Sequence, residues 1–238
     1  MLINSNDLNL DDLYKKYNKV IFYDDNDPYA SRLAKSIDKI NLEYFILIHD
    51  IDILLDVNDI YIESLFKFIK HHNYDRIDLK YKDKSDPSLI FEIDPTKDVG
   101  DWKIENTKDL TNGYFLLRDQ DPRKFLYNVN PSIWKKSTLL SIMNAFSNKS
   151  YRMIEGMDVQ NFCTQFNIFH LYSKSILHCG YFVCLDIFKF LHISHSGRLL
   201  LLNDSCTTAY GQSYSDAYTD YINIVNNFNL KKYDKWVK

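Results

Sequence analysis

The chain has 238 residues, 45% of them hydrophobic, and a formal net charge of -3 at pH 7. This length and apolar content suffice for one large globular domain with a buried core. Basic residues are dispersed among acidic ones, which argues against nucleic acid as a partner. No stretch approaches the roughly 20 apolar residues that span a bilayer, and the N-terminus lacks the pattern of a signal peptide. We therefore expect a cytoplasmic protein without a membrane span.

The first part of the chain alternates between strand and helix patterns. An apolar run at 19–23 predicts a strand that ends in an acidic loop, and helical spacing of leucine and isoleucine predicts a helix over 29–40. A second apolar run at 43–48 predicts a buried strand, and helical spacing returns at 60–69. Repeated β-α-β units predict an α/β fold, here a single Rossmann-like domain with a mixed, mainly parallel sheet flanked by helices.

The later elements are predicted from the same two periodicities. Residues 76–81 alternate between charged and apolar, which predicts a strand with one solvent-exposed face. Strands are also predicted at 113–118 and 124–129, and helices at 135–146 and 156–166. Shorter apolar runs predict strands around 168–171, 181–185 and 188–193, and one-sided apolar spacing predicts a closing helix over 213–228.

Two acidic segments follow neighbouring predicted strands. Asp50 and Asp52 come after the run at 43–48, at the strand end where open α/β sheets bind ligands. Carboxylates spaced in this way can share a hard divalent cation, which then meets phosphate oxygens. Tyr23, Asp24 and Asp25 end the first strand, where a carboxylate suits ribose hydroxyls. The alternatives are an ordinary acidic turn and carboxylates that cap the following helix.

The second half of the chain holds further candidates. Glu155 stands at the start of a predicted helix, where the helix dipole alone would favour a carboxylate. Asn130 and Trp134 bracket a polar and aromatic turn before the helix at 135–146, and this combination suits a sugar. Trp102 lies in a long irregular connection and could stack on a substrate, although packing in a local core is the simpler explanation.

Two histidines and an arginine lie close together near the C-terminal third. His192 and His195 could ligate a metal or contact a diphosphate, and ordinary histidines are the alternative. Arg198 follows a glycine and could clamp a phosphate, although a glycine turn accounts for the pattern equally well.

Taken together, these motifs resemble the GT-A-fold glycosyltransferases, particularly the family-2-like enzymes of viruses and microbes. The resemblance covers roughly residues 19 to 200 and rests on the strand 44–49 with its Asp-x-Asp, on the segment 127–140 and on Glu155. It implies one GT-A-like domain over 1–238, with a nucleotide-sugar-binding half at 19–112. The other half, 113–238, would bind the acceptor and end in the closing helix. For a viral source, the cytoplasm would be that of the host.

The resemblance also implies how the donor and metal are held. Tyr23, Asp24 and Asp25 would contact the nucleoside of a UDP- or GDP-sugar. Asp52 would be the main ligand of Mn²⁺ or Mg²⁺, and Asp50 would contact the ribose or the metal.

Transfer would go to the hydroxyl of a glycan or another acceptor, by single displacement with inversion. Glu155 would be the catalytic base, with Asp158 as its substitute. His192 or His195 would add a metal or diphosphate contact, and Arg198 a phosphate contact. Met153 and Ile154 stand before Glu155 where the family has a tryptophan. The expected acceptor contacts are Asn130, Trp134 and Trp102.

Two other functions stay open. A haloacid-dehalogenase-type phosphatase would use Asp50 as nucleophile and Asp52 as acid and base. Ile53 and Leu54 replace the Gly-Thr expected there, and no later strand ends in a paired acidic motif. The third possibility is a non-catalytic protein that binds nucleotide sugars.

Overall fold

The described part of the chain falls into two compact units. The computed structural model of the protein describes residues 2–3, 21–22, 26–48, 52–57, 59–79, 90–93, 114–119, 122–124, 126–173, 188–192, 194–195, 198–199, 222–223 and 226–227. In several of the strands, it describes only the backbone. The first unit comprises Met1–Phe45, Gln120–Asn128 and Trp134–Phe166, and the second comprises Ile46–Asp119, Val129–Ile133 and Asn167–Lys238.

The described residues contain both helices and strands. The α-helices are α1 (Tyr29–Asp38), α2 (Asp59–His71), α3 (Lys136–Ala145) and α4 (Met157–Cys163). The strands are β1 (Leu2–Ile3), β2 (Ile21–Phe22), β3 (Tyr44–Leu47), β4 (Asp52–Val57), β5 (Arg76–Asp78), β6 (Ile90–Ile93), β7 (Tyr114–Asp119), β8 (Ser132–Lys135), β9 (Ile168–Ser173), β10 (Phe188–His192), β11 (Ser194–His195) and β12 (Arg198–Leu199). None of the helices in these ranges is long and apolar enough to cross a membrane.

The main sheet has the strand order β3-β8-β5-β9-β7-β6. β5 and β9 are parallel, whereas β7 runs antiparallel to β9 and β6 antiparallel to β7. Three further pairs form: β1 with β2 in parallel, and β4 with β10 and β11 with β12 antiparallel. The prediction of an α/β fold with a mixed sheet is confirmed. In the four strands from β5 to β6 the sheet is not mainly parallel, since two of the three strand pairs, β9 with β7 and β7 with β6, are antiparallel.

The first unit is held together by α1, α3 and their shared apolar core. The predicted amphipathic spacing of α1 buries Leu33 and Ile37, and α3 buries Leu139 and Ile142. Each such side chain contributes about 1.5–3 kcal/mol when fully removed from water. The Nζ of Lys136 donates hydrogen bonds to backbone carbonyls at 38 and 40, just at the end of α1. The bond to residue 38 satisfies a carbonyl that the helix leaves free at its C-terminus, and the bond to residue 40 holds the chain just after it.

In the second unit, α2 and the strands around β5 bury an aromatic and aliphatic core. Leu65 and Phe68 of α2 are fully buried, as is Ile77 of β5. The rings of Tyr74 and Phe169 lie 4.1 Å apart. Tyr74, which lies just before β5, therefore packs closely against β9.

The prediction of a strand over 124–129 is wrong. A short 3₁₀ helix, Pro122–Lys124, is followed by bends at 126–127. The backbone N–H of Tyr127 donates to Oε1 of Gln160 at 2.9 Å, and Nε2 of Gln160 donates to the Tyr127 carbonyl at 2.7 Å. A side-chain amide thus takes the place of a neighbouring strand.

Two other local differences concern strands. The turn expected before α3 is the strand β8, and Asp52 opens the strand β4 instead of lying in a loop. The predicted strand at 181–185 lies outside the described residues. Of the predicted closing helix, the described residues 222–223 and 226–227 are helical.

Candidate functional site

Two of the predicted metal ligands meet in the β4–β10 ladder of the second unit. Asp52 is the first residue of β4 and His192 the last of β10, and the two are register partners. The Cα atoms of antiparallel partners lie about 4.5–5.5 Å apart. A carboxylate residue and an imidazole residue that are distant in sequence thus hold adjacent backbone positions.

An irregularity in this ladder produces the pairing. Lys189 pairs with Asp56, but the next residue, Phe190, pairs with Leu54, so Leu55 is skipped. With a regular register, His192 would lie opposite Ile53. Bulges of this kind often occur beside functional sites, where they change which residue faces which.

The hairpin that follows brings two further candidates together. His195 in β11 is the register partner of Arg198 in β12. His192 and His195 are three residues apart, a distance that the chain spans in at most about 11 Å. Asp52 therefore lies opposite His192 and Arg198 opposite His195, with at most about 11 Å of chain between the two histidines. Their types are a hard oxygen ligand, two nitrogen ligands and a cation suited to phosphate.

Several predicted site residues lie outside the described part of the chain. They are Tyr23, Asp24, Asp25, Asp50 and Trp102. Among the described side chains, no group of three or more His, Cys, Asp or Glu residues comes together.

The candidate base lies in a tight turn of the first unit. The N–H of Ile154 donates to the Ser150 carbonyl at 3.0 Å, and that of Gly156 to the Met153 carbonyl at 3.1 Å. Ile154 is fully buried and Glu155 half-buried, so the turn is anchored by an apolar side chain next to the carboxylate. Nε2 of Gln160 donates to the Glu155 carbonyl at 3.1 Å. The turn has a defined backbone from which the Glu155 side chain extends.

Gly156 lies in a tightly packed part of this turn. A Cβ atom at this position would lie 3.1 Å from the Met153 carbonyl oxygen and 3.0 Å from Oδ1 of Asp158. Contacts of this length are closer than most Cβ atoms make, so a larger residue would require Met153 or the Asp158 side chain to shift by a few tenths of an ångström. The glycine next to Glu155 therefore contributes to the geometry of the candidate base.

Asp158, the alternative base, has a different environment. Its Oδ2 lies 2.6 Å from Nζ of Lys149, and its side chain is half exposed. The hydrogen bond from Lys149 is the main reason why the pKa of Asp158 lies below its ordinary value. A carboxylate with a lowered pKa accepts a proton less readily. This favours Glu155 over Asp158 as the base.

The two acceptor candidates in the described part differ in exposure. Trp134 in β8 has no exposed surface, and its ring lies 5.7 Å from that of Tyr127. Because a ring buried in the core offers no face to a ligand, the expected acceptor contact by Trp134 is not supported, and its role is packing. Asn130 is half-buried, and its carbonyl accepts a hydrogen bond from Ser132 Oγ at 2.6 Å.

A buried polar cluster in the second unit was missed by the sequence reasoning. Nη2 of Arg76 lies 3.2 Å from Oδ2 of Asp78 and 3.3 Å from Oγ of Ser132. Nδ1 of His170 lies 3.5 Å from the same Asp78 oxygen, and Asp78 and His170 are register partners in β5 and β9. All four side chains are buried.

The exposed face predicted for residues 76–81 is therefore wrong in β5. Arg76 and Asp78 alternate with Ile77 as expected, but the polar face of the strand is covered and its charges pair with each other. Opposite charges two residues apart in a strand lie on one face, and this was the available signal. Buried as it is, the cluster contributes to the organisation of the sheet.

Comparisons with known proteins leave the family open: no protein-family model matches the chain, and no curated protein matches it significantly.

Proposed function

We propose that the protein is a metal-dependent glycosyltransferase that moves a sugar from a UDP- or GDP-sugar to an acceptor hydroxyl. The observation that supports this most is the register of the β4–β10 ladder, in which Asp52 lies opposite His192. The two residues were selected independently from sequence, one as part of an Asp-x-Asp and the other as part of a histidine pair. Their adjacency in the backbone is what a shared metal site requires.

The residue types fit the metal. Carboxylate oxygen and imidazole nitrogen are both ligands for Mn²⁺, and carboxylates also suit Mg²⁺. When bound, the cation would neutralise charge on the diphosphate that leaves the sugar. Asp52 and His192 would hold it, with Asp50 adding a further oxygen. Arg198 is the register partner of His195, and its planar guanidinium group would donate hydrogen bonds to the diphosphate.

Donor binding tests the metal site. Calorimetry of UDP and GDP with the wild type should show binding that strengthens when Mn²⁺ is added. Asp52→Ala should weaken the Mn²⁺-dependent binding by roughly 100-fold and His192→Ala by roughly 10-fold, the range typical of groups that support a metal. Asp56→Ala is the matched control, because Asp56 lies in the same strand but pairs with Lys189. Nucleotide binding of the same strength with and without Mn²⁺ would contradict the proposal. So would a loss of Mn²⁺-dependent binding in Asp56→Ala as large as that in Asp52→Ala.

Turnover tests the base. Glu155→Gln removes the proton acceptor and keeps the shape of the side chain, so kcat should fall by roughly 10²–10⁴-fold. Binding of the nucleotide should stay within about twofold, because no role in donor binding is assigned to Glu155. Unchanged turnover would remove Glu155 from the mechanism.

The same protein samples separate the alternatives. A haloacid-dehalogenase-type phosphatase would release inorganic phosphate from a generic aryl phosphate and lose this activity in Asp50→Asn. A non-catalytic binding protein would bind nucleotide sugars and never transfer the sugar, whichever acceptor is supplied. Either result would replace the proposed activity.

A further inference from the structure

The side chain of Gln160 links the turn that carries Glu155 to the segment around Tyr127, all within the first unit. Its Oε1 accepts the N–H of Tyr127 at 2.9 Å, and its Nε2 donates to the carbonyls of Tyr127 at 2.7 Å and Glu155 at 3.1 Å. Gln160 is 1% exposed. The amide thus uses its oxygen and both of its N–H groups on the backbone of two separate segments.

These contacts require a glutamine. A glutamate of the same length accepts the Tyr127 N–H but, when ionised, cannot donate to either carbonyl. A methionine fills a similar volume and makes none of the three hydrogen bonds. Because Gln160 belongs to α4, its bond to Glu155 fixes the turn against the helix that follows it.

The position of Glu155 depends on this bond on one side and on a buried anchor on the other. Ile154, immediately before Glu155, has no exposed surface, whereas Met153 and Met157 are more than half exposed. Between Ile154 and α4, the bond from Gln160 holds the Glu155 peptide itself. Loss of this bond removes the side-chain hydrogen bond to the peptide from which the carboxylate extends and leaves the turn with its backbone hydrogen bonds.

We propose that Gln160 is a positioning residue that sets the place of the Glu155 carboxylate for proton removal from the acceptor. This rests on the proposed function, in which Glu155 is the base. A general base acts only within hydrogen-bond reach of the proton that it removes. A displacement of about 1 Å can cost roughly 100-fold in rate, so a hydrogen bond to the peptide of the base affects turnover.

Gln160→Met tests the proposal. In the transfer assay with UDP- or GDP-sugar, we expect kcat to fall by roughly 10- to 100-fold, while the Kd for the nucleotide stays within about twofold. The acidic limb of the pH–rate profile should shift, because the surroundings of the base change. Gln165→Met is the matched control: Gln165 is exposed, its Nε2 donates to the Phe162 carbonyl at 2.8 Å, and kcat should not change.

A second control separates positioning from a general loss of stability. Val159→Ala removes fully buried methyl groups from α4 and lowers Tm without touching the three bonds of Gln160. At a temperature where both variants are folded, it should retain the kcat of the wild type. An equal loss of kcat in Val159→Ala and Gln160→Met would assign the effect to stability and overturn the inference.

A double-mutant cycle shows whether Gln160 acts through Glu155. If it does, adding Gln160→Met to Glu155→Gln should lower kcat no further, since the base is already gone. Additive losses, or an unchanged kcat and pH profile in Gln160→Met alone, would overturn the inference while wild-type transfer still supports the proposed function. A wild type that transfers no sugar would overturn both.

Discussion

Replacing Asp78 by asparagine should destabilise the protein strongly, because it leaves the guanidinium of Arg76 buried without its carboxylate. The two side chains are at most 1% exposed, and their closest charged atoms are 3.2 Å apart. With an effective dielectric constant of about 20, two unit charges at this distance interact by about 5 kcal/mol. Part of this energy offsets the desolvation of both groups in the native protein. Removing one charge loses the interaction but keeps the desolvation of the other.

The expected loss follows from comparable buried pairs. Removing one partner typically lowers the free energy of unfolding by about 3–5 kcal/mol. For a chain of this length, such a loss lowers Tm by roughly 6–20 °C. Urea unfolding would measure the free energy, and calorimetry the Tm. Asp27→Asn is the control, since Asp27 pairs with Lys35 at 2.6 Å where the lysine side chain is 64% exposed. We expect a loss below about 1 kcal/mol there.

A double variant tests the physical cause. In Arg76→Met with Asp78→Leu, both charges are absent, so no buried ion lacks a counter-charge. Its free energy of unfolding should lie closer to that of the wild type than the value for Asp78→Asn does. Two results would contradict this reasoning. In the first, Asp78→Asn lowers the free energy of unfolding no more than Asp27→Asn does. In the second, the loss in the double variant equals the sum of the losses from changing Arg76 alone and Asp78 alone.

Two further predictions concern a helix end and a histidine. Lys136→Met should lower the free energy of unfolding by about 1–2 kcal/mol in urea, because Nζ donates to the carbonyls of Asp38 and Ile40 at 2.9 and 2.8 Å; an unchanged value would contradict this. Burial, and secondly the charge of His71, lower the pKa of His72 below 6.5. The unfolded chain therefore binds this proton more readily, and stability should fall as the pH drops below 6.5. NMR titration should show the lowered pKa of His72 and only a partial rise in His71→Asn, since burial is the larger cause.

The elements that the sequence predicts well depend on local periodicity. The helix expected over 29–40 is α1 at 29–38, and the one expected over 135–146 is α3 at 136–145. In both, apolar residues at helical spacing supply the buried face, as Leu33 and Leu139 show. At the end of α1, hydrogen bonds come from Lys136, which lies far away in sequence. The pattern therefore predicts the existence of a helix better than its last residue.

Where prediction failed, the deciding partner is distant in sequence. Tyr127 belongs to an apolar run that is typical of a strand, but its backbone is hydrogen-bonded by Gln160. In β5, alternating charged and apolar residues fit an exposed face as well as a buried ion pair. The opposite charges of Arg76 and Asp78 are a local signal for a pair on one strand face. Ser132 and His170, which lie next to this pair, come from other strands, so the burial of that face cannot be predicted from β5 alone.

The candidate site shows the same division between residue type and partner. Asp52 and His192 could be selected from sequence because a carboxylate and an imidazole stand at the ends of apolar runs. The two residues pair because the ladder skips Leu55. With a regular register, His192 would lie opposite Ile53. A shift of one residue moves every later side chain to the other face of a strand. The chemistry proposed for Asp52 therefore depends on an irregularity that neither apolar run reveals. Within β4 and β10, the backbone register, more than the acidic motif, decides which residues can share a ligand.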